Sequence, residues 1–311
     1  MERQLKKTAS PRQLWVTAVT AGLSPAAALA GSGRWHWLLL WCAALAGASL
    51  PLHVRLGARP LRRWVHALYA LWGTAMAGQV LDRAARRLEL TSGGAGQRLW
   101  MALLVGAVLL CLAAGGGERM LRTGQLLWLA MAAVSAAVIL LGVLRLDWSQ
   151  AVPRGGGLWD SALTAGEVLS PVVFIVPYIN GIDAEDRRLR RQLPWAGALA
   201  AMAAAFTLVT RGLLGGAAQL VEAPFFVAAG LLGRSARLEG LLSALWLMSD
   251  LVWMGLLCLP WGRGHRPLWG AAGALALALT GVTAAVPRFI WPAMTFFLLL
   301  AAALPPGREG K

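Results

Sequence analysis

Cysteine is scarce: the 311 residues hold three, Cys42, Cys111 and Cys258, each alone inside an apolar run, with no CxxC and no Cys/His cluster. That excludes a disulfide framework and a metal site, and the three read as small buried hydrophobes. Lysine occurs only three times and acids 14 times, so the formal charge of +15 is carried by arginine. A nucleic-acid partner is not expected, because the arginines punctuate apolar segments, where anchoring on anionic lipid and setting topology explain them better. The glycine runs at 115–117 and 155–157 lack the Lys and Ser/Thr of a phosphate loop and read as turns. Gly47-Ala48-Ser49 with His53 matches a fragment of a serine intramembrane protease, but no second motif accompanies it. No enzyme constellation and no cofactor is therefore expected.

What the chain has in abundance is apolar sequence. It is 58% hydrophobic and 14% charged, with a mean hydropathy of +0.61, and its apolar runs recur from Trp15 to Leu304. A window of about 20 residues predicts ten membrane spans. They cover roughly 12–30, 35–54, 62–82, 98–115, 122–145, 158–179, 193–213, 237–259, 267–286 and 288–304. With the N-terminus inside, 18 of the 29 basic residues fall on the cytoplasmic side, which favours two cytoplasmic termini. Arg83, Arg86, Arg87 and Arg98 run against that bias, around the external connection after span three. A cleaved signal peptide is the competing reading of span one, given its basic start and the Ala28-Leu29-Ala30 pattern before Gly31.

One tripeptide is repeated at matching places. Leu23-Ser24-Pro25 and Leu169-Ser170-Pro171 each lie about midway along a predicted span, with the serines 146 residues apart. Proline removes a backbone donor and clashes with the preceding turn, so both spans are expected to break there. Five spans separate the copies, and an odd number reverses direction. The chain therefore reads as an all-α integral membrane protein of about ten helices, a single domain at 1–311 built as a five-plus-five inverted repeat with broken helices 1 and 6. Repeat one covers about 12–145 and repeat two about 158–304. Chance recurrence of a short motif, with proline merely kinking both helices, is the plain alternative.

Two acids lie inside predicted spans. Glu167 precedes Ser170 by three residues, on nearly the same helical face, where span one carries Ala21; Asp250 lies in Trp246-Leu247-Met248-Ser249-Asp250 of span eight. An ionisable group at that depth costs a few kcal/mol and should face the bundle interior or water, so both acids are candidate site residues, with a structural hydrogen-bonded acid as the plain alternative. Tyr69 and Trp72 in span three could line a cavity, although helix or lipid contact would equally place them. Residues 215–236 are apolar but interrupted by Gly215-Gly216, Pro224, Gly230 and Gly233, which fits an external lid or re-entrant segment over the cavity, or else a surface amphipathic helix.

Several segments together resemble the spore germination permease family, the B subunits of germinant receptors, within the amino acid/polyamine/organocation superfamily. They are Ser10-Pro11-Arg12-Gln13-Leu14, Gly117-Glu118-Arg119 with Arg122, Asp147 followed by Pro153, Glu222-Ala223-Pro224, and Arg237-Leu238-Glu239 followed by Leu245-Trp246. The resemblance covers roughly residues 8–260. It implies recognition of a small germinant, often an amino acid, at the broken helices, by Gly22, Leu23, Ser24 and Pro25 with Gly166, Glu167, Ser170 and Pro171, and with Tyr69, Trp246 and Asp250 nearby. It also implies partner A and C subunits and a place in the inner spore membrane or cell membrane. An amino acid permease coupled to protons through Glu167 or Asp250 is the runner-up.

Overall fold

The computed structural model describes residues 10–56, 61–92, 94, 96–151, 157–175, 188–232, 237–262 and 266–303. The end of the sixth predicted span at residue 179, Pro153, and both charged chain ends lie outside the described residues. All regular structure among the described residues is helical. The helices are α1 (Pro11–Ala28), α2 (Trp35–Leu56), α3 (Arg63–Ser92), α4 (Arg98–Ala114), α5 (Gly116–Val143), α6 (Trp148–Ala151) and α7 (Leu158–Phe174). They continue as α8 (Leu189–Leu214), α9 (Pro224–Leu232), α10 (Arg237–Cys258), α11 (Pro267–Thr280), α12 (Val282–Ala285) and α13 (Ile290–Ala303). A helix lies at each of the ten predicted spans. Among the described residues, four segments are long and apolar enough to cross a membrane: Trp35–Leu56, Arg119–Val143, Leu189–Gln219 and Leu242–Trp261.

Local chemistry explains the start of α1. Ser10 accepts a hydrogen bond from the Gln13 amide (3.2 Å), the Gln13 side chain accepts one from the Ser10 amide (2.9 Å), and Pro11 takes the first helical position. This capping box satisfies two donors that a bare helix end would leave open. From Leu14 to Ala27 every residue of α1 is buried, so the helix runs through the centre of the bundle. α7 is likewise buried from Thr164 to Phe174 and packs on α1.

The expected central breaks are not there. α1 continues unbroken through Leu23-Ser24-Pro25 to Ala28, and α7 continues through Leu169-Ser170-Pro171 to Phe174. Each helix ends three residues after its proline, so the triplets mark helix ends rather than midpoints. Proline withholds one donor, from the carbonyl four residues earlier, which is Ala21 in α1 and Glu167 in α7, and one lost bond near a terminus does not unwind a well-packed helix. α10 compensates α1 further: the Trp246 indole donates to the Leu23 carbonyl (3.1 Å) and the Ser249 hydroxyl to the Thr20 carbonyl (2.6 Å).

The helices pair in a regular way. α1 packs on α7, α2 on α8, α3 on α10, and α4 on α11. α5 leans on α1 and α10, while α13 leans on α7 and α3. α3 and α7 also meet through side chains, Tyr69 standing edge-on to Phe174 with ring centres 5.5 Å apart. Much of the outer surface is apolar: Leu126, Leu129 and Leu144 on and beside α5 and Trp100 on α4 are largely exposed, whereas Asp82, Arg87, Glu167, Arg211 and Asp250 are buried. That inversion of the water-soluble pattern suits a lipid surround.

Close approach of α3 to α10 depends on Gly73, where an added methyl would lie 2.3 Å from the Leu257 carbonyl oxygen, a backbone atom that cannot swing away. Gly73→Ala should cost about 1–3 kcal/mol by forcing the two helices apart. Gly47→Ala, at an exposed α2 position with nothing within 4 Å, should be neutral or slightly stabilising. Thermal melts of the purified protein in detergent check this, and equal melting points for the two variants would refute the packing argument.

Candidate functional site

α3 is longer than its apolar stretch. The hydropathy pattern ends span three near residue 82, but the helix runs to Ser92, so Arg83, Arg86 and Arg87 are helix residues rather than part of an external connection. Spacing four apart puts Gln79, Arg83 and Arg87 along one face, where the Arg83 guanidinium donates to the Gln79 amide oxygen (3.1 Å). This charged stripe enters the bundle beside the C-terminal end of α1 and the middle of α7.

There it walls a cavity of about 690 Å³. α1 contributes Ser24 and Ala28, α3 contributes Gln79, Asp82, Arg83, Arg86 and Arg87, and α10 contributes Asp250. The segment between α8 and α10 supplies Ala218, Gln219 and Val221 to Pro224 with Phe226, and Arg288 and Trp291 close the far side. A volume in this range holds a drug-sized molecule.

Three carboxylates tie the walls together. At the floor, Arg87 and the Ser24 hydroxyl both donate to Asp250, one to each carboxylate oxygen. Arg87 also donates to the Ser243 hydroxyl (3.1 Å), and its guanidinium carbon lies 4.9 Å from the centre of the Phe226 ring. This pair is the most enclosed of the set, with the Arg87 and Asp250 side chains 6% and 3% exposed. Behind the wall, Glu167 is gripped by Arg83 and Arg288, each at 3.1 Å, and Arg288 also donates to the Thr164 hydroxyl (2.7 Å). Nearer the rim, Asp82 accepts from Arg86 (3.2 Å) and from Arg98 at the start of α4 (3.0 Å).

Within the segment between α8 and α10, α9 packs inward and is not a surface helix. Phe225 and Phe226 at the start of α9 are fully buried against Phe206 and Trp246. Just before them, Ala223 has a φ of 53°, a left-handed conformation that costs an L-residue roughly 1–2 kcal/mol. The strained residue sits on the cavity wall between Glu222 and Pro224.

Of the residues expected to form a ligand site, Ser24 and Asp250 come together on the cavity floor. Glu167 stands one layer back, holding its two arginines. The others do packing work away from the wall. Gly22 admits Leu199 of α8, and Gly166 admits Pro292 of α13. Leu23, Pro25 and Pro171 are buried within their helices, and Ser170 donates back to the Gly166 carbonyl (2.8 Å). Tyr69 is enclosed beside Phe174, and Trp246 lies in the Phe206, Phe225 and Phe226 cluster. The residues that hydropathy reading misses are Arg83, Arg87 and Arg288. Their signal was the arginines crowding the side that the charge bias disfavours. The chain matches no protein-family model and no curated protein.

Removing Asp250 leaves the Arg87 guanidinium enclosed without its counter-charge. Asp250→Asn should therefore lose about 3–5 kcal/mol of stability. The double variant Arg87→Met with Asp250→Asn should recover much of that loss, because no uncompensated charge remains. Melting of the three proteins in detergent tests the coupling, and strictly additive losses would show that the two residues do not act as a pair.

Proposed function

We propose that this chain is a multi-pass membrane receptor subunit that recognises a small polar molecule in the cavity bounded by α1, α3, α10 and the α8–α10 segment. The observation that carries this is the Ser24–Asp250–Arg87 cluster: a charged, enclosed floor beneath an open volume, in a bundle whose outside is apolar. Charges are rarely kept inside such a bundle without a use. The helix pairing supports a five-plus-five inverted repeat. Exchanging α1, α2, α3, α4 and α5 for α7, α8, α10, α11 and α13 maps the pairs α1/α7, α2/α8, α3/α10 and α4/α11 onto themselves. It also turns the packing of α5 on α1 and α10 into that of α13 on α7 and α3. Inverted repeats of this kind place their ligand sites at the repeat interface, where α1 and α7 meet.

On the resemblance described above, the molecule sensed is a germinant such as an amino acid, and the partners are the A and C subunits of a germinant receptor in a spore or cell membrane. Sensing requires only that the ligand bind one of two conformations better. Proton-coupled transport asks more. To carry a proton, Glu167 would have to give up its charge beside Arg83 and Arg288, and Asp250 its charge beside Arg87, leaving the enclosed Arg87 guanidinium without a counter-charge. That favours the receptor over the permease.

The full chain in liposomes, offered a panel of amino acids with and without a proton gradient, distinguishes them. Binding without accumulation is the expected result. Concentrative uptake abolished by Glu167→Gln would overturn the receptor reading in favour of the permease, and the absence of any binding would overturn both.

A further inference from the structure

Resting on that reading of the cavity, we infer that its ligand is a zwitterion that inserts between Arg87 and Asp250, its carboxylate taking Arg87 and its ammonium taking Asp250. The floor of the cavity is an ion pair already closed on itself, and both partners line the open volume.

Charge balance selects the ligand class. A zwitterion replaces one enclosed ion pair by two, and no charge is left unmatched. A simple carboxylate would satisfy Arg87 but strand Asp250; a simple amine would satisfy Asp250 but strand Arg87. In an enclosed site each stranded charge keeps its desolvation cost without recovering the attraction that offset it. The other ionic contacts do not offer this. Glu167 does not line the cavity and is held on both sides by Arg83 and Arg288. Asp82 with Arg86 and Arg98 stands near the rim, where the two arginine side chains are 36% and 38% exposed and water screens them. The other charged residues of the lining are Arg83, Arg86 and Arg288 and Asp82, Asp160 and Glu222, so the cavity as a whole shows neither sign in excess.

The neighbours of the pair give insertion a consequence. Ser24 donates to Asp250 and so links the pair to α1, while Phe226 lies against the Arg87 guanidinium and links it to α9 and the strained Ala223. Parting Arg87 from Asp250 therefore acts on α1, α10 and the α8–α10 wall at once.

The test uses the full chain in nanodiscs, with binding read by calorimetry. The probes are the standard amino acids, followed for each one that binds by its deaminated acid and its amide, which carry a single charge of either sign. The wild type should bind the zwitterion at least about tenfold more tightly than either analogue. Asp250→Asn should lose the preference for the amino acid over the deaminated acid, and Arg87→Met the preference over the amide. Should a variant fail to fold, the analogue series on the wild type still decides. Equal binding of the zwitterion and its singly charged analogues, or wild-type ranking retained in both variants, would overturn insertion into the pair while leaving the cavity a ligand site. Failure of every probe to bind would overturn the cavity reading, and insertion with it.

Discussion

The constraint on which the rest of the molecule depends is the neutralisation of arginine inside an apolar bundle. α3 carries two guanidiniums, those of Arg83 and Arg87, into the interior, and a charge there is tolerable only beside a partner. Glu167 on α7 and Asp250 on α10 meet Arg83 and Arg87, while Arg288, ahead of α13, shares Glu167. These contacts fix how far α3, α7 and α10 can rotate or slide, and they hold open a polar volume that apolar side chains would otherwise fill.

Around that framework the packing is made by small residues. Gly73 lets α3 meet the α10 backbone, Gly166 lets α7 receive Pro292, and Gly22 lets α1 receive Leu199. Close helix contact without large side chains suits a bundle surrounded by lipid, where burial of apolar area offers little net drive. α1 depends on α10 in a second way, since Trp246 and Ser249 donate to its Leu23 and Thr20 carbonyls. The helix thereby gains hydrogen bonds at the end where Pro25 withholds one. The repeated proline triplet thus lies at the C-terminal ends of two central helices, that of α1 on the cavity wall and that of α7 beside Tyr69, and does not split them.

The proposed receptor role needs a site whose occupancy changes packing. The Ser24, Asp250, Arg87 and Phe226 chain joins α1, α10, α3 and α9 through four side chains. Next to it, Ala223 holds a left-handed backbone conformation just ahead of Pro224. On the proposed receptor reading, strain beside the cavity is a place where a small displacement can be favourable, which would put the response at the α8–α10 wall rather than in the central helices.

The order of residues by itself determined that ten apolar segments form helices and that Glu167 and Asp250 are candidate site residues, because an ionisable group in an apolar run is costly wherever it points. It could not determine where α3 ends, since a hydropathy window treats Asp82, Arg83, Arg86 and Arg87 as the edge of a span, while the helix continues as long as each charge finds a partner. Nor could it separate ligand-facing from packing roles for Gly22, Leu23, Pro25, Gly166, Ser170, Pro171, Tyr69 and Trp246, because glycine, proline and aromatics serve both. Those assignments were decided only in three dimensions. Arg83 and Glu167 are 84 residues apart, Arg87 and Asp250 163, and Ser24 and Asp250 226. At such separations no local rule pairs charges; only the packing of helices brings them within hydrogen-bonding reach.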